Sequence, residues 1–294
     1  MISRDEKRWK ITAYIILSIM AVLALLPFIL LIMASFTDDT VALMNGYSFF
    51  PEKFSMDAYQ YILDNSNTFF RAYGITIIVT ILGTAVSMIL TSMTAYILSK
   101  RDMPGVKILN FMIIFTMLFN GGLVPTYISY TTIFHIKDTL LALIVPNLLM
   151  GAFMVMLVRN YFEHSIPGEL YESARIDGAS EFRIFGTIVL PLSVPIMATV
   201  GLMSALAYWN DWQNSIYYIS DKKMYSIQAI LNAINQSISM LASLGDTAGA
   251  SAAQLPTTTI RMAIAVVGIL PILIISPFFQ KYFAKGLVAG AVKG

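Results

Sequence analysis

Few side chains in this sequence could make or break bonds, and their spacing narrows the field at once. Cysteine is absent, which excludes a thiol nucleophile, a disulfide and a thiolate metal site. The two histidines, His135 and His164, read as ordinary polar residues of loops. No cluster of metal ligands and no nucleophile–base spacing stands out, so an integral-membrane enzyme finds no catalytic set here. A phosphate loop of the form GxxxxGK[ST] is also missing, so the chain does not hydrolyse ATP by that route. Catalysis is not what these residues are built for.

Two polar–aromatic sets remain, and their chemistry is that of sugar recognition. A sugar offers hydroxyls and flat apolar faces, which call for aromatic platforms beside amide and carboxylate partners. Tyr208-Trp209-Asn210-Asp211-Trp212 supplies that mixture at the end of an apolar run. Thr116, Asn120 and Tyr127 form a second candidate set. The competing reading of Trp209 and Trp212 is interfacial, since Tyr and Trp girdle membrane surfaces. For the second set it is a packing kink, because Gly121-Gly122 followed by Pro125 must break a helix and free backbone groups there.

The elements that position these residues are membrane spans. Of 294 residues 57% are hydrophobic and only 12% charged, about half the charge of a soluble domain. A bilayer core about 30 Å thick needs about 20 apolar residues at a helical rise. Six runs qualify: residues 11–36, 73–99, 106–128, 140–159, 188–212 and 259–279. The first is longer than the apolar core of a cleaved signal peptide and reads as a retained helix. Pro271 and Pro277 suggest bends in the last. The composition therefore predicts an all-α membrane protein with six transmembrane helices.

Orientation follows from the basic residues. Thirteen of the 19 Lys and Arg fall in the 1–10 head, the connections after the second and fourth spans, and the tail at 284–294 with Lys281 just before it. Both termini are therefore expected in the cytoplasm, with 37–69 and 213–258 as outer loops. Within the second, the Gly/Ala/Ser-rich part reads as a flexible surface segment. Charged residues occur only at span ends: Arg71, Asp138, Asp211 and Arg261. A carrier driven by an ion gradient usually keeps an ionisable group near the midplane. The empty midplane argues that any driving energy comes from another polypeptide.

The most informative segment is the long cytoplasmic connection 160–187. Pro167 suits a first helical turn, with Ser165 as its cap. Glu169 and Glu172 complement the helix dipole, Leu170 and Ala174 are spaced i, i+4, and Tyr171 adds an aromatic on an adjoining face. Asp177-Gly178 stops the helix. About ten residues are too few for a helix that stands alone in water. It must pack, either on its own membrane helices or in a partner's groove.

Glu172-Ser173-Ala174, Gly178, and then Ile188, Leu190 and Pro191 resemble the EAA motif of ATP-binding-cassette (ABC) importer permeases, with Ser173 in place of the usual second alanine. Asp177-Gly178-Ala179 and Phe185 make it similar to the sugar-importer branch, as does the tail from Lys285 to Gly294. Phe119 to Tyr127 resembles a subgroup for larger or plant-derived saccharides. The resemblance covers about residues 70–294. It implies a type I ABC importer permease fold with a permease core at 70–283 and a coupling helix from Glu172 to Gly178, seated in a cleft of an ATPase subunit. Glu172 would pair with a basic residue there, Gly178 would set the turn after it, and Ala179, Phe185, Leu190 and Pro191 would complete the motif.

It further implies a second homologous permease as heterodimer partner, two ATPase subunits, an extracellular solute-binding protein touching the outer loops, a carbohydrate substrate and a surround of membrane lipid; no nucleic acid is involved. The chain itself would hold no cofactor, ATP and Mg belonging to the ATPase subunits. The expected location is the bacterial cytoplasmic membrane, multi-pass. A permease for a non-sugar solute and an ion-coupled secondary transporter stay open as alternatives.

Overall fold

A backbone that leaves water must pair its own N–H and C=O groups, and an apolar run does so most locally as a helix. The computed structural model, which describes residues 4–100, 102–243 and 257–291, is accordingly helical. Among the described residues the β pairing amounts to an isolated bridge between Thr37 and Phe54. In chain order the helices are α1 (Arg4–Ser35), α2 (Asp39–Asn45), α3 (Asp57–Asp64), α4 (Ser66–Ser99), α5 (Val106–Leu118), α6 (Leu123–Ile128), α7 (Leu141–Ile144), α8 (Ala152–Ser165), α9 (Gly168–Ile176), α10 (Glu181–Ile184), α11 (Leu190–Leu192), α12 (Val194–Trp209), α13 (Gln213–Tyr218), α14 (Ile227–Ser243) and α15 (Thr257–Ala291). Two π-helical stretches, Ser129–Ile133 and Phe185–Val189, continue α6 and α10.

Among the described residues two helical stretches are long and apolar enough to cross a bilayer unaided, Lys7–Ser35 within α1 and Ser66–Ser99, which is α4. Glu181–Leu192 with Val194–Trp209, bent by 83°, makes a third if counted as one span. The bend has a local cause. Pro191 and Pro195 flank Ser193, and each removes a backbone donor and crowds the carbonyl four residues back.

The six expected runs all appear as helical segments in order, but not all as single rods. Residues 106–128 split at Gly121-Gly122, as their chemistry predicts: Gly122 takes φ 84°, and the Asn120 Oδ1 accepts its N–H at 2.8 Å. Residues 140–159 do not form one span. Pro146 offers no donor, Asn147 takes φ 62°, and the helix resumes only at Ala152. Because α8 runs on to Ser165, His164 lies in a last helical turn rather than a loop, its Nδ1 2.9 Å from the Asn160 carbonyl. α15 passes through Pro271 and Pro277 without interruption and carries the helix into the expected tail. The segments expected as outer loops hold α2, α3, α13 and α14. Residues 244–256, most of the stretch expected to be flexible, lie outside the described residues.

The chain divides into two compact units, Met1–Phe69 with Leu231–Pro271 and Phe70–Ile230 with Ile272–Gly294. In the first, none of the apolar window of α1 is buried, a surface fit for hydrocarbon rather than water. Beyond it the Phe36 and Tyr59 rings stack at 4.8 Å, and Lys53 pairs with Asp38 at 2.6 Å. The Asp39 Oδ1 accepts from the Thr258 N–H (3.0 Å), the Thr259 N–H (3.1 Å) and the Thr259 hydroxyl (3.2 Å). It thereby caps the start of α15 with a residue from over two hundred positions away. Asp39→Ala should cost about 1–2 kcal/mol from the lost cap and the lost charge at a helix N-terminus. That is a fall of several degrees in melting temperature, which Asp39→Asn should largely recover; equal melting of alanine variant and wild type would show that the cap carries no weight.

Among its described residues the second unit has two apolar clusters. One joins α4, α5, α8, α10 and α12 through Leu98, Ile113, Val155, Val158, Phe162, Ile184 and Val200. The other joins Val79, Leu143, Ile144, Tyr208 and Tyr218. Between α4 and α12 the approach is close: a Cβ on Gly83 would lie 2.5 Å from the Tyr208 ring.

Candidate functional site

The motif loop folds as a short helix with a defined end. α9 is nine residues long and starts behind Pro167, which has extended geometry (φ −59°, ψ 135°) and provides no side-chain cap. Ser165 is not the cap. It ends α8, and the buried Ile166 fills the step between the two helices. The exit goes as the sequence predicts. Gly178 takes φ 74°, the Ala179 N–H reaches the Ala174 carbonyl at 2.9 Å, and the Gly178 N–H reaches that of Arg175 at 3.0 Å. This pair of bonds is a Schellman stop, and only glycine takes its left-handed position without strain. Ser180 then caps α10 through the Arg183 N–H.

Of the two packing options for α9, the one on the chain's own helices is realised, along one face. Tyr171, Ala174 and Ala179 lean on the cluster around Val158 and Phe162. Glu172, Ser173 and Ile176 point away and are exposed, Ile176 by 86%. Leu170 belongs to the outer side at 40% exposure, so the inward stripe is Tyr171–Ala174 rather than Leu170–Ala174. Phe182, on α10, is 77% exposed. A solvent-facing edge with three large apolar groups beside an acid is an unusual thing to leave uncovered.

What anchors α9 was not evident from the sequence. The Tyr96 hydroxyl, from the last turn of α4, donates to the Glu181 Oε2 at 2.5 Å. The Arg175 Nε donates to the Glu181 Oε1 at 2.9 Å. Lys100, just past α4, sets its Nζ 3.5 Å from the centre of the Tyr171 ring, within cation–π range. Burial pushes the Lys100 ammonium down to about 8; Glu181 opposes that shift and Arg175 adds to it. Burial alone would raise the Glu181 carboxyl, but the bonds from Tyr96 and Arg175 outweigh it and hold the group below its ordinary value. Between this junction and the end of α8 lies a groove of about 660 Å³, lined among others by Lys100, Glu163, His164, Tyr171, Glu172 and Arg175. The available signal was faint: Tyr96 and Lys100 are spaced i, i+4, and Glu181 follows directly on a helix stop. Farther along, Phe185 packs on Tyr96 at 5.2 Å between ring centres, Leu190 is half-buried and Pro191 exposed at the bend.

The polar–aromatic sets fare differently. Tyr208 is 1% exposed, in the second apolar cluster, and its hydroxyl donates to the Ile144 carbonyl at 2.9 Å. Trp209 is 6% exposed, its ring 6.3 Å from that of Tyr73. Within this chain both are packing residues, the reverse of open platforms, because α12 turns them inward against α4. Asn210 is exposed, and Asp211 accepts from the Gln213 and Asn214 N–H groups at the start of α13. Thr116 bonds its own helix at the Ile113 carbonyl, and Asn120 holds the glycine break. Tyr127 stacks on Tyr218 at 5.7 Å. The fold thus brings Tyr127 to the Tyr208 cluster and leaves Thr116 exposed on α5 and Asn120 exposed at the break in the third run.

The chain that carries this short helix and the proline-bent apolar pair after it is similar to known proteins. Residues 103–288 fit the family described as "Binding-protein-dependent transport system inner membrane component". The chain belongs to that family. This permease is 40% identical over 282 residues to the polygalacturonan/rhamnogalacturonan transport system permease protein YtcP of Bacillus subtilis, covering 96% of each chain. It is 39% identical over 272 residues to protein LplC of the same organism, covering 92% of the permease and 90% of LplC. Its fold matches a chain in the crystal structure of a bacterial ABC transporter involved in the import of the acidic polysaccharide alginate, with a TM-score of 0.79 and 30% identity over 96% of the permease and 99% of that chain. It is therefore an all-α membrane permease with the fold of ABC importers, the membrane component of a system that depends on a binding protein.

Proposed function

We propose that the permease forms half of the translocation pathway for a carbohydrate of the oligosaccharide class. A second homologous permease forms the other half, two ATPase subunits drive the pair, and a solute-binding protein delivers the sugar on the outside. The substrates named for two similar proteins, polygalacturonan/rhamnogalacturonan and the acidic polysaccharide alginate, support the sugar class. The observation that carries the coupling role is the geometry of α9: one face is bound to the permease's own helices, while the other presents Leu170, Glu172 and Ile176 to solvent. In this reading both termini and the 160–187 connection lie in the cytoplasm, and ATP with Mg is held by the ATPase subunits alone.

The mechanism is alternating access. Closure of the ATPase pair on ATP displaces α9, and the permease bundles rock from inward-open to outward-open. Nothing reacts in this chain; it converts a partner's closure into helix rotation. The test is uptake by proteoliposomes holding the assembled importer, with binding protein and labelled oligogalacturonides outside and ATP inside. Uptake should need both the binding protein and ATP, and an imposed proton or Na⁺ gradient should not replace ATP. Gradient-driven uptake without nucleotide would overturn the reading, and a system that moves peptides but no saccharide tested would overturn the sugar class.

A further inference from the structure

One carboxylate ties the motif helix to the bundle, and it is not the motif's own. Nine residues cannot hold α9 helical in water, so its position depends on what grips it. Packing through Tyr171 and Ala174 supplies part of the grip. The directional part converges on Glu181. Its Oε2 takes the hydroxyl of Tyr96, 7% exposed, at the end of α4, and its Oε1 takes the Arg175 guanidinium near the end of α9 through both Nε and Nη2 at 2.9 Å. Glu181 is itself the first residue of α10, which the π-helical stretch and α11 carry to the 83° bend. Lys100 closes the fourth side, its ammonium over the Tyr171 ring. Three helices thus meet at a single side chain, with a donor from each of the other two. Charged groups that accept short bonds from ionised donors hold geometry better than neutral ones.

We propose that Glu181 is a positioning residue for coupling: it clasps α9 to the ends of α4 and α10, so that a displacement of α9 passes into the bundle instead of being absorbed by the loop. This inference rests on α9 being the coupling element. It differs from the role of Glu172, whose outward face is the one proposed to meet the ATPase; Glu181 acts through Tyr96 and Arg175. Loss of the clasp leaves the outer face of α9 available for docking but lets it move independently of α4.

The experiment compares wild type, Glu181→Ala, Glu181→Gln and Tyr96→Phe in the complete importer in proteoliposomes. Two quantities are measured: ATPase subunits retained per permease, and saccharide transported per ATP hydrolysed. A merely structural defect lowers the yield of importer and leaves the second ratio, taken per assembled complex, unchanged. Glu181→Ala should keep both ATPase subunits and lower the transport-to-hydrolysis ratio at least fivefold. Tyr96→Phe, which deletes one hydroxyl, should lower it two- to threefold, and Glu181→Gln, which still accepts from Tyr96, should fall in between. A wild-type ratio in Glu181→Ala overturns the clasp, and so does loss of ATPase subunits, which would place Glu181 on the docking surface. Should the alanine permease itself fail to fold and insert, as read by its own yield in the membrane, Tyr96→Phe decides between the same outcomes. If wild-type importer itself shows no ATP-dependent uptake, the failure belongs to the coupling reading rather than to the clasp.

Discussion

A Glu172→Lys permease is expected to insert and accumulate like wild type yet to lose at least 30-fold of its ATP-dependent uptake. The two halves of that expectation have separate causes. Within the chain, Glu172 is exposed on the outer face of α9, and changes at such positions usually stay within about 0.5 kcal/mol of neutral. At the proposed interface with the ATPase the same residue would lose a charge-assisted partner and oppose it with like charge. Breaking one buried, hydrogen-bonded charge pair in an interface costs about 2–5 kcal/mol. At about 1.4 kcal/mol per factor of ten, that weakens docking by roughly 30-fold to several thousand-fold. Permease abundance by blotting, ATPase co-purification and saccharide uptake measure the three parts separately. Normal uptake by the variant would remove Glu172 from the coupling surface.

Gly83→Ala should be among the most damaging single-methyl changes in the molecule. The added Cβ would stand 2.5, 2.6 and 2.8 Å from three atoms of the Tyr208 ring, well inside van der Waals contact. A flexible side chain would swing aside, but this ring is 1% exposed and its hydroxyl is bonded to the Ile144 carbonyl at 2.9 Å. Either α4 and α12 separate or the buried bond is lost. Overpacking costs about 1–3 kcal/mol, and an unpaired buried hydroxyl or carbonyl about 1–3 more. Together they come to about 2–6 kcal/mol, a large share of a typical folding stability of about 5–15 kcal/mol. The expected readout is a melting temperature in detergent lowered by roughly 4 °C or more, with partial recovery when Tyr208→Leu is combined with it. Unchanged melting would mean that the helices accommodate the methyl group.

Much of this architecture was legible in the residues, and the parts that were not share a reason. Gly121, Gly122 and Pro125 announce the break in the third run because their backbone preferences act locally. Gly178 announces the end of α9 for the same cause. Pro146 carried an equal warning for the fourth run, but the apolar residues on both sides of it mask a break as continuity. The cap at Ser165 failed because Ile166 has a tertiary place in the core, which lengthens α8 and pushes the next start to Gly168. Tyr208 and Trp209 have the composition of a sugar platform, but burial is decided by which way α12 faces, and a uniformly apolar helix gives no moment from which to read that. The clasp was out of reach altogether: Tyr96 and Glu181 lie 85 positions apart, and neither residue announces the other.

The right angle at Ser193 has a mechanical corollary. From Glu181 to Leu192 the short limb is twelve residues, about 18 Å at helical rise, set at 83° to the upright α12. A shove of a few ångströms across the tip of such a crank becomes a twist of about ten to fifteen degrees in the shaft it is keyed to. Straightening the elbow would remove the leverage while leaving every contact surface in place.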